Sequence, residues 1–186
     1  MAKEIRAYGV RVRRSGRYPE DDSISVAYDF PRPAAGSRHP LRIRSSNHVP
    51  GGLPVAFGAV RGVVSRRRQA GGARKGRVLY VLEGRRPLVV LAYHIPDSGP
   101  LEVLAVGAHR NLPRADAARF QAHLLACLEE AARALGRGDH VAWITDIDNT
   151  AKVAETLHGF SKAKKPDYVR ARFYLTRTIT KPERSS

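Results

Sequence analysis

The pattern of apolar and polar positions changes character near residue 78. Before it, "EIRAYGVRVRR" and "SISVAYDF" read as two short strands. Residues 31–54 hold Pro31, Pro33, Pro40, Pro50 and Pro54 with Gly36, Gly51 and Gly52. Proline lacks an amide donor and fixes φ, so this stretch is expected to be mostly loop, with the alternating Leu41–Arg44 as a short strand. "LPVAFGAVRGVVS" is apolar but broken by glycine, and its pattern allows helix or strand. "RRRQAGGARKGR", Arg66 to Arg77, predicts a basic, glycine-rich loop.

From Val78 the periodicity is clearer. "VLYVLEG" and "PLVVLAYHI" predict strands joined in a hairpin by "EGRRP", and "PLEVLAVGAH" predicts a third strand after the turn "PDSG". The next segment, "ADAARFQAHLLACLEEAARALGRGD", carries Phe120, Leu124, Leu128, Ala131 and Leu135 at spacings of three or four, one face of a long helix. Asp116 suits its first turn, and Gly136 and Gly138 suit its stop. "VAWIT" is a continuous apolar run, as in a strand buried on both faces. Strand, long helix and strand make a βαβ unit. "DNTAKVAETLHGF" predicts a shorter helix stopped by Gly-Phe, with Asp146, Asp148 and Asn149 as turn and capping residues. In "DYVRARFYLTRT", Val169, Ala171, Phe173 and Leu175 alternate with Tyr168, Arg170, Arg172 and Tyr174, which predicts an edge strand offering arginines and tyrosines outward. The expected organisation is one structural domain: a basic N-terminal part (1–77), an α/β core (78–178) and a flexible tail (179–186).

Charge adds a partner to this picture. The 186 residues carry a net charge of +16, very unevenly spread. Residues 30–82 hold eleven Lys/Arg and no Asp or Glu, and residues 149–186 hold nine basic and three acidic residues. The stretch between them, 83–148, nets −2. A solvated basic face accounts for one such block, but more than fifty residues without a carboxylate point to an anionic partner. Dense phosphates reward many Lys/Arg contacts through counterion release, so tRNA or another nucleic acid is expected. Its contacts would be Arg66, Arg67, Arg68, Arg74, Lys75 and Arg77 in the loop, with Lys162, Lys164, Lys165, Arg170 and Arg172 extending the track. No apolar run reaches the roughly 20 residues of a membrane span, and no basic amphipathic helix with an aromatic face is visible. The N-terminus lacks a signal-peptide core, and the lone Cys127 forms no internal disulfide, so a cytoplasmic protein is expected. The seven histidines show no metal-ligand spacing, and neither a nucleophile elbow nor a nucleotide-binding loop is present.

The order from residue 78 (hairpin, strand, long helix, buried strand, short helix ending in Gly-Phe, closing strand) resembles the GNAT acyltransferase superfamily. Asn149, Ala151, Ala154, Gly159 and Phe160 match the pattern of that family's second site helix, and the resemblance covers about Val78 to Tyr174. It implies a mixed, twisted α/β sheet with helices on both faces, here with a basic N-terminal extension, and amide-forming acyl transfer. Two departures stand out. The family's glycine turn at the third strand–helix junction, whose amides hold the CoA pyrophosphate, is absent: no glycine lies between His109 and Leu125, and by register Arg119 and Gln121 replace the two glycines. The tyrosine that many members use to protonate the thiolate is also missing, its slot falling on Glu155 or Thr156.

Relatives of this fold such as the peptidoglycan-bridge aminoacyltransferases and the leucyl/phenylalanyl-tRNA-protein transferases take aminoacyl-tRNA as donor, which needs basic surface rather than a pyrophosphate turn. The leading expectation is therefore an acyltransferase without a cofactor, moving an aminoacyl group from aminoacyl-tRNA to an amine of a small molecule or peptide. Glu102 or His109 on the third strand would receive the amine's proton, although each residue also suits a plain strand or loop position. The alternatives are a transferase using acetyl-CoA, including one acting on tRNA, and a non-catalytic nucleic-acid-binding protein on a degenerate scaffold.

Overall fold

The structure is a computed structural model that describes residues 8–17, 22–31, 39–46, 57, 60 and 77–179. In chain order the strands are β1 (Arg11–Arg13), β2 (Ser23–Ser25), β3 (Ala27–Asp29), β4 (Leu41–Ser46), β5 (Arg77–Glu83), β6 (Arg86–His94) and β7 (Glu102–Ala108). Helix α1 (Arg114–Leu135), β8 (His140–Thr145), α2 (Asp148–His158), β9 (Ser161–Lys162) and β10 (Phe173–Thr178) complete them. Among the described residues, strands β1 and β2 pair with each other, and the other eight form one sheet in the order β3-β4-β5-β6-β7-β8-β10-β9. Every neighbour in it is antiparallel except β7–β8, the two ends of the βαβ unit.

The periodicity of α1 does what it predicts. Phe120, Leu124, Leu128, Ala131 and Leu135 are buried, joined by Leu125, Cys127 and Ala132. They pack on Leu79, Leu91, Val103, Val141 and Trp143 of the sheet. The helix stops at Gly136 (φ 67°), whose N–H returns to the last turn, and Arg14 donates to the Leu135 carbonyl, so the N-terminal strands close the helix end. Helix α2 packs on the same face through Ala151 and Ala154. On the opposite face Phe57 and Val60 pack against Val78, Val90 and Ala92. The helices expected on that face fall otherwise outside the described residues. No helix among the described residues is long and apolar enough to cross a membrane.

Three local expectations are corrected. Asp146, Asp148 and Asn149 do not cap α2 with their side chains: the N-cap is Ile147 and no side-chain cap bond forms. Asp146 instead accepts from the Arg172 N–H (2.7 Å) and Asp148 from its guanidinium (3.2 Å), holding the segment before β10 to the head of α2. Second, β10 is neither an edge strand nor twelve residues long. It starts at Phe173 and lies between β8 and β9. Third, Tyr174 is buried in one cluster with Val169, which a strand continuous from Tyr168 would have put on the opposite face.

Gly159 ends α2 with φ 67°, and both its N–H and that of Phe160 return to the Ala154 carbonyl. This drops Phe160 edge-on against Trp143, 5.4 Å between centroids. Gly159→Ala forces a Cβ into the left-handed region and should lower unfolding stability by about 1 kcal/mol, read by urea denaturation.

Behind that corner lies a buried histidine. His158 stacks on Trp143, its Nε2 is 2.8 Å from Gln121 Oε1, and Arg177 donates to its carbonyl. Burial first and the Arg177 charge second push its pKa from 6.5 down to about 4. The folded protein therefore keeps the ring neutral while the unfolded chain takes a proton below pH 6.5. Stability falls as pH drops from 6.5 towards 4, by on the order of 2–3 kcal/mol in all, and levels off below. His158→Gln should flatten that part of the pH–stability curve in urea melts at pH 7, 6, 5 and 4.

Candidate active site

Strands β7 and β8 pair only at Glu102–Ala142 and Val103–Trp143. Beyond that point β7 continues to Ala108 and β8 to Thr145 without meeting, so the sheet forks in its middle. A bulge opens the fork. Ala92 faces Ala105 and Tyr93 faces Val103, so Leu104 is an extra residue on β7. A bulge raises local twist and turns backbone groups out of the ladder. From Leu104 to Ala108, β7 is bonded to β6 on one side and half-exposed on the other. The fork thus presents a strand edge with free backbone donors and acceptors, next to a packed core.

Below the bulge is a polar cluster. Glu102 is 2% exposed, with Oε2 3.0 Å from His94 Nδ1 and Oε1 buried without a hydrogen-bond partner. Tyr168 and Tyr174 feel its charge. Their pKa values are raised by burial first, with Glu102 contributing, and Tyr174 reaches about 12. Both phenols therefore stay protonated at neutral pH.

At the far end of β7 the chain turns through His109–Pro113 into α1. Pro113 is the N-cap and no side chain caps the helix, so the first-turn amides of Arg114, Ala115 and Asp116 have no intrahelical acceptor. Arg86 Nη2 lies 3.0 Å from the His109 ring, and burial followed by the Arg86 and Arg110 charges lowers the His109 pKa. Arg86 stands beside His109, and Arg110 and Arg114 lie close in sequence to the start of α1. The nearby carboxylate, Asp116, is already paired with Arg119 at 3.1 Å. Helix-start amides with arginines close in sequence suit a phosphate or diphosphate.

This overturns one inference from sequence. Arg119 and Gln121 do not stand at the junction. Helix α1 begins at Arg114, so both lie in its second turn or beyond, Arg119 over the Phe120 ring and Gln121 bonded to His158.

The two candidate bases do not share one centre. Glu102 and His109 are seven residues apart on one strand, about 20 Å. His109 lies at the α1 end of β7, and Glu102, 2% exposed, at the base of the fork. Among the expected nucleic-acid contacts, Arg66, Arg67, Arg68, Arg74 and Lys75 lie outside the described residues. Arg77 is corrected: it opens β5, is 6% exposed and donates to the Asp22 carbonyl, so it offers no phosphate contact. Lys162, Lys164, Lys165 and Arg170 are exposed around β9 and the segment before β10, with Lys165 reaching the Ala171 carbonyl and Arg172 committed to Asp148. Cys127 is buried and its thiol pKa raised, chiefly by burial, so it is core and not a nucleophile. Sequence reading passed over His94, whose partnership with Glu102 depends on cross-strand register.

A forked mixed sheet with a bulged central strand, a free helix start at the end of that strand and a second helix closed by Gly-Phe is the fold of the GNAT acyltransferase superfamily. Solved structures agree. A protein described as a GNAT-family acetyltransferase from Desulfovibrio desulfuricans matches at a TM-score of 0.51 with 15% identity, covering 75% of this chain and 99% of that one. A protein described as an N-acetyltransferase from Lactobacillus plantarum matches at 0.51 with 14% identity, covering 75% and 99%. A variant of the AtaT toxin, bound to the C-terminus of the antitoxin AtaR and to acetyl-CoA, matches at 0.51 with 11% identity, covering 74% and 92%. No protein-family model and no curated protein matches the sequence.

The expectation of a protein without a cofactor is corrected here. A protein of this fold is solved with acetyl-CoA.

Proposed function

We propose that the protein is an N-acyltransferase that takes its acyl group from acyl-CoA and delivers it to an amine. The observation that carries this reading is the fork: one strand edge, freed by the Leu104 bulge, that runs from the buried Glu102 towards a helix start with no side-chain cap. An extended amide-containing arm with a thioester at one end and phosphates at the other suits that edge. The first-turn amides of α1 with Arg110 and Arg114 would hold the diphosphate, and the free β7 backbone would pair with the arm and orient the carbonyl. When bound, CoA supplies an activated thioester, so holding the amine in line supplies much of the acceleration. Helix α2 provides no phenol: Thr156 donates to the Lys152 carbonyl and Glu155 offers a carboxylate. The test is calorimetry with acetyl-CoA and with CoA, followed by free-thiol detection in the presence of amines. Tight CoA binding that Arg110→Ala weakens supports the reading, and no binding at millimolar acetyl-CoA contradicts it.

The basic edge supports a second element, a nucleic-acid partner near the site. Lys162, Lys164, Lys165 and Arg170 are exposed within nine residues that hold one carboxylate, Asp167. Replacing the three lysines by glutamine should reduce the slope of log affinity for tRNA against log salt by about 2 to 3. An unchanged slope would place the contact elsewhere.

A further inference from the structure

We propose that His94 is the group that takes the proton from the attacking amine, with Glu102 as the positioning residue behind it. The inference rests on the acyltransferase reading above and names a catalytic residue for it.

Glu102 is 2% exposed, whereas the His94 side chain keeps 24% of its surface open. Of the pair, His94 is therefore the member that an incoming substrate meets. With Glu102 Oε2 accepting from the His94 Nδ1–H, the lone pair of the ring is left on Nε2. A histidine held in this tautomer by a buried carboxylate is oriented as a base.

Position agrees. His94 and Glu102 face each other across β6 and β7, two residues before the Leu104 bulge. Tyr93 and Val103 belong to the core under α1, so the alternation of the strands turns His94 and Glu102 to the opposite face. There they adjoin Ala142, Tyr174 and Val169 at the closed end of the fork. The second oxygen of Glu102 is the decisive oddity. A core that only needed His94 anchored would satisfy both oxygens, since a buried bare carboxylate oxygen is costly. An unpaired one beside a half-open histidine leaves an acceptor free for a donor of the incoming substrate. Tyr168 and Tyr174, held protonated, do not compete as bases.

In the transfer step the amine nitrogen bonds to the thioester carbonyl carbon and the carbon–sulfur bond breaks. The nitrogen's proton passes to His94 Nε2, the departing thiolate takes a proton from water, and the imidazolium returns its proton to solvent. No oxidant, metal or further reactant is needed.

The test is histidine-selective labelling with diethyl pyrocarbonate at pH 7, read site by site by peptide mass spectrometry. It needs neither donor nor acceptor. His94 should react at least as fast as His140, whose ring is more exposed (38%), and buried His158 reports unfolding. Glu102→Gln should slow His94 about tenfold while leaving His140 unchanged, because a charge-assisted bond is replaced by a neutral one. A His94 that labels more slowly than His140 in the wild type, or equally fast in both proteins, overturns the proposal. In parallel, free thiol is followed with acetyl-CoA and a panel of primary amines. His94→Gln should lose about a hundredfold or more in rate, and Glu102→Gln about tenfold, both with unchanged acetyl-CoA affinity. Wild-type rates in His94→Gln would also overturn it. A wild type that binds no acetyl-CoA refutes the donor reading instead, and labelling then decides the state of His94 by itself.

Discussion

Alanine at both Arg110 and Arg114 weakens acetyl-CoA binding about 10- to 100-fold, while the protein's melting temperature without ligand stays unchanged. Each guanidinium offers charge-assisted hydrogen bonds to phosphate, worth about 1.5–3 kcal/mol apiece when shielded and less at an open surface, which sets the lower end of the range. Neither side chain is part of the buried core, so the cost falls on binding and not on folding. The loss should be larger at low salt, since screening already weakens exposed charges at high ionic strength. Asp116→Asn should act in the opposite direction, removing a negative charge from the helix start and tightening binding several-fold. Calorimetric titration at two salt concentrations checks all three variants. An acetyl-CoA affinity unchanged in the double alanine variant would mean that the diphosphate lies away from the head of α1.

Trp143→Ala destabilises the protein by about 3–5 kcal/mol, the usual cost of emptying an aromatic site in a core. Trp143 is 1% exposed, lies nearly parallel to the His158 ring at 5.8 Å and meets Phe160 edge-on. It also faces Val103 in the last β7–β8 pair before the strands part. The cavity therefore opens at the root of the fork, and the melting temperature should drop by about 10 °C. Trp143→Phe should cost much less. The indole N–H is buried without a hydrogen-bond partner, and phenylalanine removes that unsatisfied donor along with part of the volume. Urea denaturation of both variants separates the two effects. Equal losses would show that ring size alone decides.

The elements after residue 78 were legible because each carries its own local signal. The β5–β6 hairpin shows in two apolar runs around "EGRRP". Helix α1 shows in the spacing of Phe120, Leu124 and Leu128. Errors arose where a local pattern was compatible with two placements. Register with the family's glycine turn set Arg119 and Gln121 at the junction, while Asp116 in the first turn and Pro113 before it marked an earlier helix start, and the structure follows the latter. The alternation from Tyr168 to Arg172 imitates a strand, yet Asp146 and Asp148 take Arg172 and bend the segment away from it. Arg77 looked like part of a basic loop, although as the first residue of β5 it turns inward to the Asp22 carbonyl.

The candidate site was less legible than the fold, since it is made by register. Glu102 could be singled out from its strand, but its neighbour could not. His94 meets it only because the turn after Ile95 and the extra residue Leu104 set which residues of β6 and β7 lie opposite. The fork is likewise invisible in either strand alone. It appears when β7 and β8 are seen to share two pairs and then separate.

The central claim is that this fork holds acyl-CoA, and thermal unfolding with acetyl-CoA tests it most directly. At a ligand concentration 100-fold above the dissociation constant, binding to the folded state alone adds about 2.7 kcal/mol, a rise of roughly 5–10 °C for a chain of this size. Such a rise is expected with acetyl-CoA and with CoA, and a much smaller one in the Arg110, Arg114 double alanine variant. A melting temperature that stays put up to millimolar acetyl-CoA would contradict it.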